Sequence, residues 1–158
     1  MLRFNDPIAI RAIEQATSVG FKPSRDQCVA RFDKTGKLLG GVFFTDFNIV
    51  SVQVHIAGFV DDWIDRSILW VAVDWPYNKL GVNKMLAPVR ASNWKCIAFC
   101  SHFGFNIEAR IRDVFPDGDL LVLSLYKSDC KFLNMRPPQL TIDSEKVEGT
   151  HGEIYTVS

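Results

Sequence analysis

The chain lacks several features that assign a protein to a functional class at first reading. Its 18 Lys and Arg balance 18 Asp and Glu, so the formal net charge is zero. Because a neutral chain has no surplus of cations to attract DNA, RNA or an anionic membrane, we expect neither nucleic acid nor membrane as a partner. The longest apolar runs, such as residues 68–73, are too short to cross a bilayer, and the N-terminus lacks the charged-then-apolar order of a signal peptide.

Cysteines are few, and none lies in a Cys-x-x-Cys pair. Cys28, Cys96, Cys100 and Cys130 are scattered along the chain. Cys96 and Cys100 share one face of a predicted helix and His102 follows them, but a fourth ligand is missing and the spacing fits no common zinc site. The pattern therefore predicts no bound metal, and it indicates buried structural thiols in a reducing cytoplasm.

Apolar residues are abundant, and their periodicity predicts one domain of the α/β class. They make up 47% of the 158 positions, enough for a substantial core. Their spacing predicts helices over 7–18, 63–74 and 93–103, and strands over 28–32, 38–44, 51–59, 84–89, 105–114 and 119–127. We expect Asp62 to cap the second helix and Pro76 to kink or break it near Asp74. Gly40-Gly41 inside a strand indicates a bulge or a close approach of backbone.

The composition changes after Leu133. Arg136 is followed by two prolines, which end regular structure, and the remaining residues are mostly polar. The sequence therefore predicts a folded domain over 1–133 and a polar, Pro-containing extension over 134–158. This extension is either a loose tail or a clasp onto a partner.

The most specific pattern lies between Val89 and Phe105. An apolar strand is followed by Ser92 and Asn93, and then by a predicted helix that ends at Gly104, eleven positions after Asn93. This order, continued by two further strands, resembles the C-terminal half of the GNAT (Gcn5-related N-acetyltransferase) superfamily. Further matching pieces make the chain most similar to GNAT-like proteins of bacteriophages and prophages: His55-Ile56-Ala57, residues 77–82, Arg112, Gly118-Asp119 and Cys130.

The resemblance implies a GNAT-like α/β (α+β) fold, in which a mixed central sheet of six to seven strands is flanked by about four helices. It also implies an N-acetyltransferase that moves acetyl from acetyl-CoA to a primary amine of a protein or small molecule. The acetyl-CoA would lie between two splayed central strands. The implied contacts with acetyl-CoA are Val54, Ile56, Arg66, Ser67, Asn93, Cys96 and Phe99.

The loop that binds the diphosphate of CoA in the family has an unusual sequence in this chain. Family members usually carry Arg/Gln-x-x-Gly-x-Gly/Ala, whose backbone N–H groups bind the anion at a helix start. Residues 58–67 contain a single glycine, and Asp61, Asp62 and Asp65 crowd the same place. Like charges oppose a diphosphate there, whereas Arg66 and Ser67 favour it.

Two residues are candidates for acid–base chemistry. Amide formation requires that the amine lose a proton, and His55, in the strand beside the expected thioester, is the candidate base. Cys100 stands where many family members carry a tyrosine that protonates the departing thiolate, so the resemblance makes Cys100 the candidate acid. Both residues also have a purely structural interpretation, as a strand histidine and a packed thiol. Asn93 likewise caps a helix whether or not CoA binds.

Two functions therefore remain open. In the first, favoured by the intact framework of strand, Asn93 and Gly104, the protein is an active N-acetyltransferase. In the second, it is a catalytically inactive GNAT-fold protein with a binding or structural role, associated with a virion or directed at a host protein. Expected partners are an amine-bearing acceptor, a second copy in a homodimer, or a phage or host protein. The expected location is the cytoplasm, that of the host if a phage encodes the chain, or the virion.

Overall fold

The computed structural model describes residues 1–137 and 140. Seven strands form one sheet in the order β1-β2-β3-β4-β5-β7-β6, and only the β4–β5 pair is parallel. The strands are β1 (Leu2–Phe4), β2 (Gln27–Phe32), β3 (Leu38–Thr45), β4 (Ser51–Gly58), β5 (Lys84–Arg90), β6 (Asn106–Phe115) and β7 (Gly118–Tyr126). The α-helices of the described residues are α1 (Pro7–Thr17), α2 (Arg66–Asp74) and α3 (Trp94–Phe103). The mixed α/β sheet predicted from the sequence is confirmed.

Hydrophobic residues are buried on both faces of this sheet. Successive side chains of a strand point to opposite faces, so Phe43 of β3 packs with α1 while its neighbours Val42 and Phe44 join the larger core of α2 and α3. On the α1 side, Ala9 and Ile13 are fully buried. Strands β2 and β3 are therefore buried on both faces, which explains their nearly continuous apolar sequences.

The start of α2 corrects one sequence-based prediction. The helix was expected to begin at Trp63 with Asp62 as its cap, but it begins at Arg66 with Asp65 as the N-cap. The preceding residues are held outside the helix because the Arg31 side chain donates hydrogen bonds to the carbonyl oxygens of Asp62 and Trp63. This contact comes from a residue 31 positions earlier, so local periodicity could not reveal it.

The end of α2 is extended rather than broken at Pro76. The last residue of the α-helix is Asp74, and the Trp75 N–H still donates to the Val71 carbonyl oxygen before Pro76, which has no N–H. The chain then continues as a π-helical segment, Trp75–Leu80, which ends at Gly81 with a φ of 83°. Within this segment the Tyr77 hydroxyl, which is buried, donates to the Leu125 carbonyl oxygen at 2.5 Å and ties the segment to β7.

The two parallel strands at the centre of the sheet separate from each other. They pair only from Ser51 to Gln53 on β4 and from Lys84 to Leu86 on β5. Beyond this point β5 keeps its antiparallel partner β7 but has no neighbour on the β4 side. Pro88 lies in the separated part, where a strand tolerates a residue without an N–H. The separation opens a cleft in the middle of the sheet.

Most of the predicted C-terminal extension, at residues 138–139 and 141–158, lies outside the described residues. The described part follows the core directly. The indole Nε1 of Trp70 in α2 donates to the Leu133 carbonyl oxygen at 3.2 Å. The guanidinium carbon of Arg136 lies 5.6 Å from the centroid of the Trp70 ring. The chain thus packs against α2 up to at least this point.

Candidate functional site

The cleft between the separated halves of β4 and β5 is the candidate site. Its volume is about 580 Å³, within the roughly 300–1,000 Å³ that is typical of small-molecule sites. Of the nine residues predicted from the sequence, seven line it: Val54, His55, Ile56, Asn93, Cys96, Phe99 and Cys100. Arg66 and Ser67 are not part of the lining. The structure thus brings most of the predicted residues together, while their roles stay predictions.

His55 lies on the β4 wall of the cleft. It is directly opposite Phe43 on β3, so its side chain is on the α1 side of the sheet, and its Nε2 lies 3.1 Å from the Thr45 Oγ1. Burial lowers the pKa of His55 below its usual value of 6.5, and the Asp46 and Asp26 carboxylates oppose this only in part. The imidazole is therefore mainly neutral at pH 7, as a general base must be.

The hydrogen bonds of Thr45 indicate which ring nitrogen of His55 carries the proton. The Thr45 hydroxyl has one hydrogen, and it donates to Asp46 Oδ2 at 3.4 Å. While the hydroxyl donates to Asp46, its oxygen can only accept from His55, and this selects the tautomer with the proton on Nε2. In that tautomer Nδ1 carries the lone pair and is the nitrogen that can accept a proton.

Cys96 and Cys100 line the cleft from α3, one helical turn apart. A hydrogen bond between the two thiols, together with burial, raises the pKa of Cys100. Cys100 is therefore a protonated thiol at neutral pH. It can donate a hydrogen bond to a sulfur atom in the cleft, whereas it does not supply a thiolate nucleophile.

The spacing from Asn93 to Gly104 has a complete structural explanation. Asn93 is the N-cap of α3, and its Oδ1 accepts from the Cys96 N–H at 3.2 Å. Gly104 ends the helix in the left-handed region, with a φ of 110° that favours glycine. The motif therefore fixes the length and position of α3, which places Asn93 at the cleft mouth whatever ligand binds there.

The loop before α2 is held against the sheet through Trp63. Its indole lies on Gly40 of β3 and Gly58 of β4, which are directly opposite each other. A Cβ atom at Gly40 would be 2.4 Å from the Trp63 ring, and one at Gly58 would be 2.2 Å from its Nε1. The sequence predicted a bulge or a close approach of backbone at Gly40-Gly41. At Gly40 the close neighbour is instead the Trp63 side chain, and the register of β2 and β3 shifts next to this position.

Arg31 of β2 is the functional candidate that sequence reasoning missed. Its Nη1 donates to the carbonyl oxygens of Asp62 at 2.7 Å and Trp63 at 2.9 Å. Its Nε lies 2.8 Å from Asp65 Oδ2. The signal available in the sequence was weak, an arginine among the apolar residues of the predicted strand 28–32. Its place opposite Gly40 is known only from the structure.

The two residues predicted to contact phosphate lie at the start of α2. Arg66 is the first helical residue and is exposed. The Ser67 N–H, which would bind an anion, already donates to Asp65 Oδ1 at 2.9 Å. The protein's own carboxylate thus occupies the place where the sequence resemblance puts a diphosphate.

The described residues show no arrangement suited to a metal ion. Within 1–137 and 140, no three His, Cys, Asp or Glu side chains are grouped so that they could hold one. In the same part of the chain, every helix is too short or too polar to cross a membrane.

Comparison with known proteins finds likeness in structure and not in sequence. No protein-family model matches the chain, and no curated protein matches it. Mutant forms of the spermidine/spermine N-acetyltransferase SpeG from Vibrio cholerae superpose with a TM-score of 0.69 at 17% identity, covering 87% of this chain and 99% of that one. The same acetyltransferase in complex with CoA and spermine gives 0.68 at 16% identity, covering 85% and 98%. A dodecameric structure of it gives 0.68 at 16%, covering 87% and 98%.

At this level of identity the likeness establishes the fold alone. The correspondence nevertheless extends over almost the whole of the solved chains, so it concerns the complete arrangement of sheet and helices. The splayed central strands, the helix after each of them and the final antiparallel pair all have the order that the sequence resemblance implied. The chain has the GNAT fold.

Proposed function

We propose that this protein is a GNAT-type N-acetyltransferase, which moves an acetyl group from acetyl-CoA to a primary amine of a protein or small molecule. The observation that carries the proposal is a neutral histidine on the wall of the cleft where the two central parallel strands separate. A thioester bound along β4 would lie beside His55. The solved neighbour in complex with CoA and spermine supports both the donor and the kind of acceptor.

The reaction needs one proton removed and one supplied. The amine nitrogen attacks the thioester carbonyl carbon, a C–N bond forms, and the C–S bond breaks with its electron pair on sulfur. Nδ1 of His55 accepts the proton that the nitrogen loses. The Cys100 thiol, which keeps its proton, donates a hydrogen bond to the departing sulfur, and that sulfur takes its proton from solvent. One amine and one thioester give one amide and one thiol, so no further reactant is required.

Binding of the donor tests the proposal most directly. We expect acetyl-CoA or acetyl-pantetheine to stabilise the folded protein, by about 2.7 kcal/mol at a hundredfold excess over the dissociation constant. Thermal unfolding with and without each compound measures this stabilisation. If neither compound at millimolar concentration changes the unfolding temperature, the cleft does not hold a thioester and the proposal fails.

Thr45 is expected to keep His55 in its active tautomer. Thr45→Val removes the hydroxyl but preserves the branched shape, and we expect kcat to fall about three- to tenfold, the effect of roughly one hydrogen bond. Thr45→Ser, which retains the hydroxyl, is the matched control and should keep most activity. Heteronuclear NMR of the imidazole nitrogens reports the tautomer itself. An unchanged tautomer and an unchanged kcat in Thr45→Val would remove Thr45 from the mechanism.

A second function, that of a catalytically inactive binding or structural protein, has one observation in its favour. The Asp65 carboxylate fills the helix start where a diphosphate would bind. In that case the partner would be a protein of the virion or host, or a second copy of the chain. The edge strand β6, which is exposed at every residue but Phe115, offers a surface for such pairing. The binding experiment separates the two functions, because only the enzyme requires a thioester in the cleft.

A further inference from the structure

The start of α2 is already occupied by an anion that belongs to the chain. Asp65 Oδ1 accepts hydrogen bonds from the N–H groups of Ser67 at 2.9 Å and Ile68 at 3.0 Å. These are the first-turn amides that bind a phosphate group when a helix N-terminus serves as an anion site. A diphosphate could use them only after the Asp65 side chain had left.

The other oxygen of Asp65 is engaged as well. Oδ2 lies 2.8 Å from the Nε of Arg31, and both ions are partly shielded from solvent, with side-chain exposures of 40% and 21%. The Nη1 of Arg31 holds the carbonyl oxygens of Asp62 and Trp63. Arg31 is therefore bound to the loop and to Asp65, and moving Asp65 would break charge-assisted hydrogen bonds at both of its oxygens.

The remaining charges of the loop also oppose an added anion. Asp61 and Asp62 are exposed beside the helix start. Arg66, the cation within this stretch, is exposed and lies outside the cleft lining. A diphosphate at this place would meet carboxylates without the glycine-rich backbone that normally compensates for them.

The cleft itself carries no such obstacle. Its walls between the separated strands are mainly apolar, with Val54 and Ile56 on β4, Ala87 and Val89 on β5, and Phe99 on α3. Backbone groups on the facing sides of β4 and β5 have no strand partner there. Such a channel suits a pantetheine arm, whose amides can bond to the free strand edges while its methylene groups contact the apolar side chains.

We propose that the protein recognises its acyl donor through the pantetheine arm alone, so that its donor class is pantetheine thioesters in general, with the nucleotide and its diphosphate left in solvent. This inference rests on the proposed function, because it concerns the donor of the same reaction. On this proposal the nucleotide part of CoA is not needed for binding. A thioester on a pantetheine arm without any nucleotide is then as good a ligand as acetyl-CoA.

Calorimetric titration with acetyl-pantetheine and acetyl-CoA tests the inference. We expect the two dissociation constants to agree within about threefold, a difference well below the effect of one charge-assisted hydrogen bond. Acetyl-CoA binding more than about tenfold tighter than acetyl-pantetheine would overturn the inference but would support the acetyltransferase. Binding of neither compound would instead defeat the proposed function.

The variant Asp65→Ser tests whether the Asp65 carboxylate is what keeps the diphosphate away from the start of α2. Serine keeps an N-cap oxygen but removes the carboxylate that occupies the anion position. We expect acetyl-CoA to bind at least about fivefold more tightly to this variant, with less than about a twofold change for acetyl-pantetheine. Asp61→Ser is the matched control, because it removes the same charge from the loop without altering the cap. Equal gains in both variants, or none in Asp65→Ser, would show that Asp65 does not exclude the diphosphate. If Asp65→Ser fails to fold, the dissociation constants of the two donors for the parent protein still show whether the nucleotide contributes to binding.

Discussion

Replacing His55 with alanine is expected to lower kcat by roughly a hundredfold to ten-thousandfold, the usual contribution of a general base. The dissociation constant of the donor should change little, because a base acts on the amine in the transition state and not on the bound thioester. Stopped-flow or coupled assays of thiol release give kcat, and calorimetry gives the affinity. His102→Ala, an exposed histidine on α3, is the matched control and should retain parental activity.

The pH profile provides an independent readout of the same residue. Protonated His55 cannot accept a proton, so the rate of the parent should fall as the pH drops through the pKa of His55. Because burial lowers this pKa from 6.5, and Asp46 and Asp26 restore it only in part, we expect the acid limb below pH 6.5. His55→Ala should lack that limb. A variant with parental turnover and the same limb would assign the proton to water or to another group.

Much of the fold could be predicted because its signals are local. The alternation along β4 identified a strand with His55 on one face, and it depends only on neighbouring residues. Asn93 and Gly104 were recognised as the ends of α3 because a cap and a left-handed glycine act within one turn. The same locality explains why these motifs say little about activity. They would be needed for α3 in a protein that binds nothing.

The parts that sequence reasoning missed depend on contacts between distant positions. The short strand β1 has only three residues, too few for periodicity, and it forms because Leu2 and Phe4 are buried beside β2. The late start of α2 depends on Arg31, which reaches the loop across the sheet. The acidic loop was noticed, but only the three-dimensional arrangement shows that Asp65 neutralises the helix start from within the chain.

The fit between Trp63 and the sheet leads to the second prediction of large effect. Gly58→Ala should reduce the free energy of unfolding by about 1–3 kcal/mol, the usual cost of overpacking a tight contact. The new Cβ would lie 2.2 Å from the indole Nε1, and the hydrogen bond from Arg31 to the Trp63 carbonyl oxygen keeps the loop backbone from withdrawing. Urea unfolding measures the change. Gly20→Ala is the matched control, because a Cβ there meets nothing within 4 Å, and it should change stability by less than about 0.5 kcal/mol.

A double-mutant cycle shows whether the indole is the cause. Gly58 has no left-handed φ, so alanine is not strained at this position in itself. Once Trp63→Ala has removed the ring, the substitution Gly58→Ala should become neutral or even stabilising by about 0.5 kcal/mol, since alanine loses less chain entropy than glycine on folding. The two substitutions should thus couple by at least about 1 kcal/mol, beyond the error for independent sites. A cost of Gly58→Ala that is the same with and without the ring would mean that something other than Trp63 requires glycine there. In that case the loop before α2 would not be held by the indole, and the position of Asp65 would depend on Arg31 and on the N–H groups of Ser67 and Ile68.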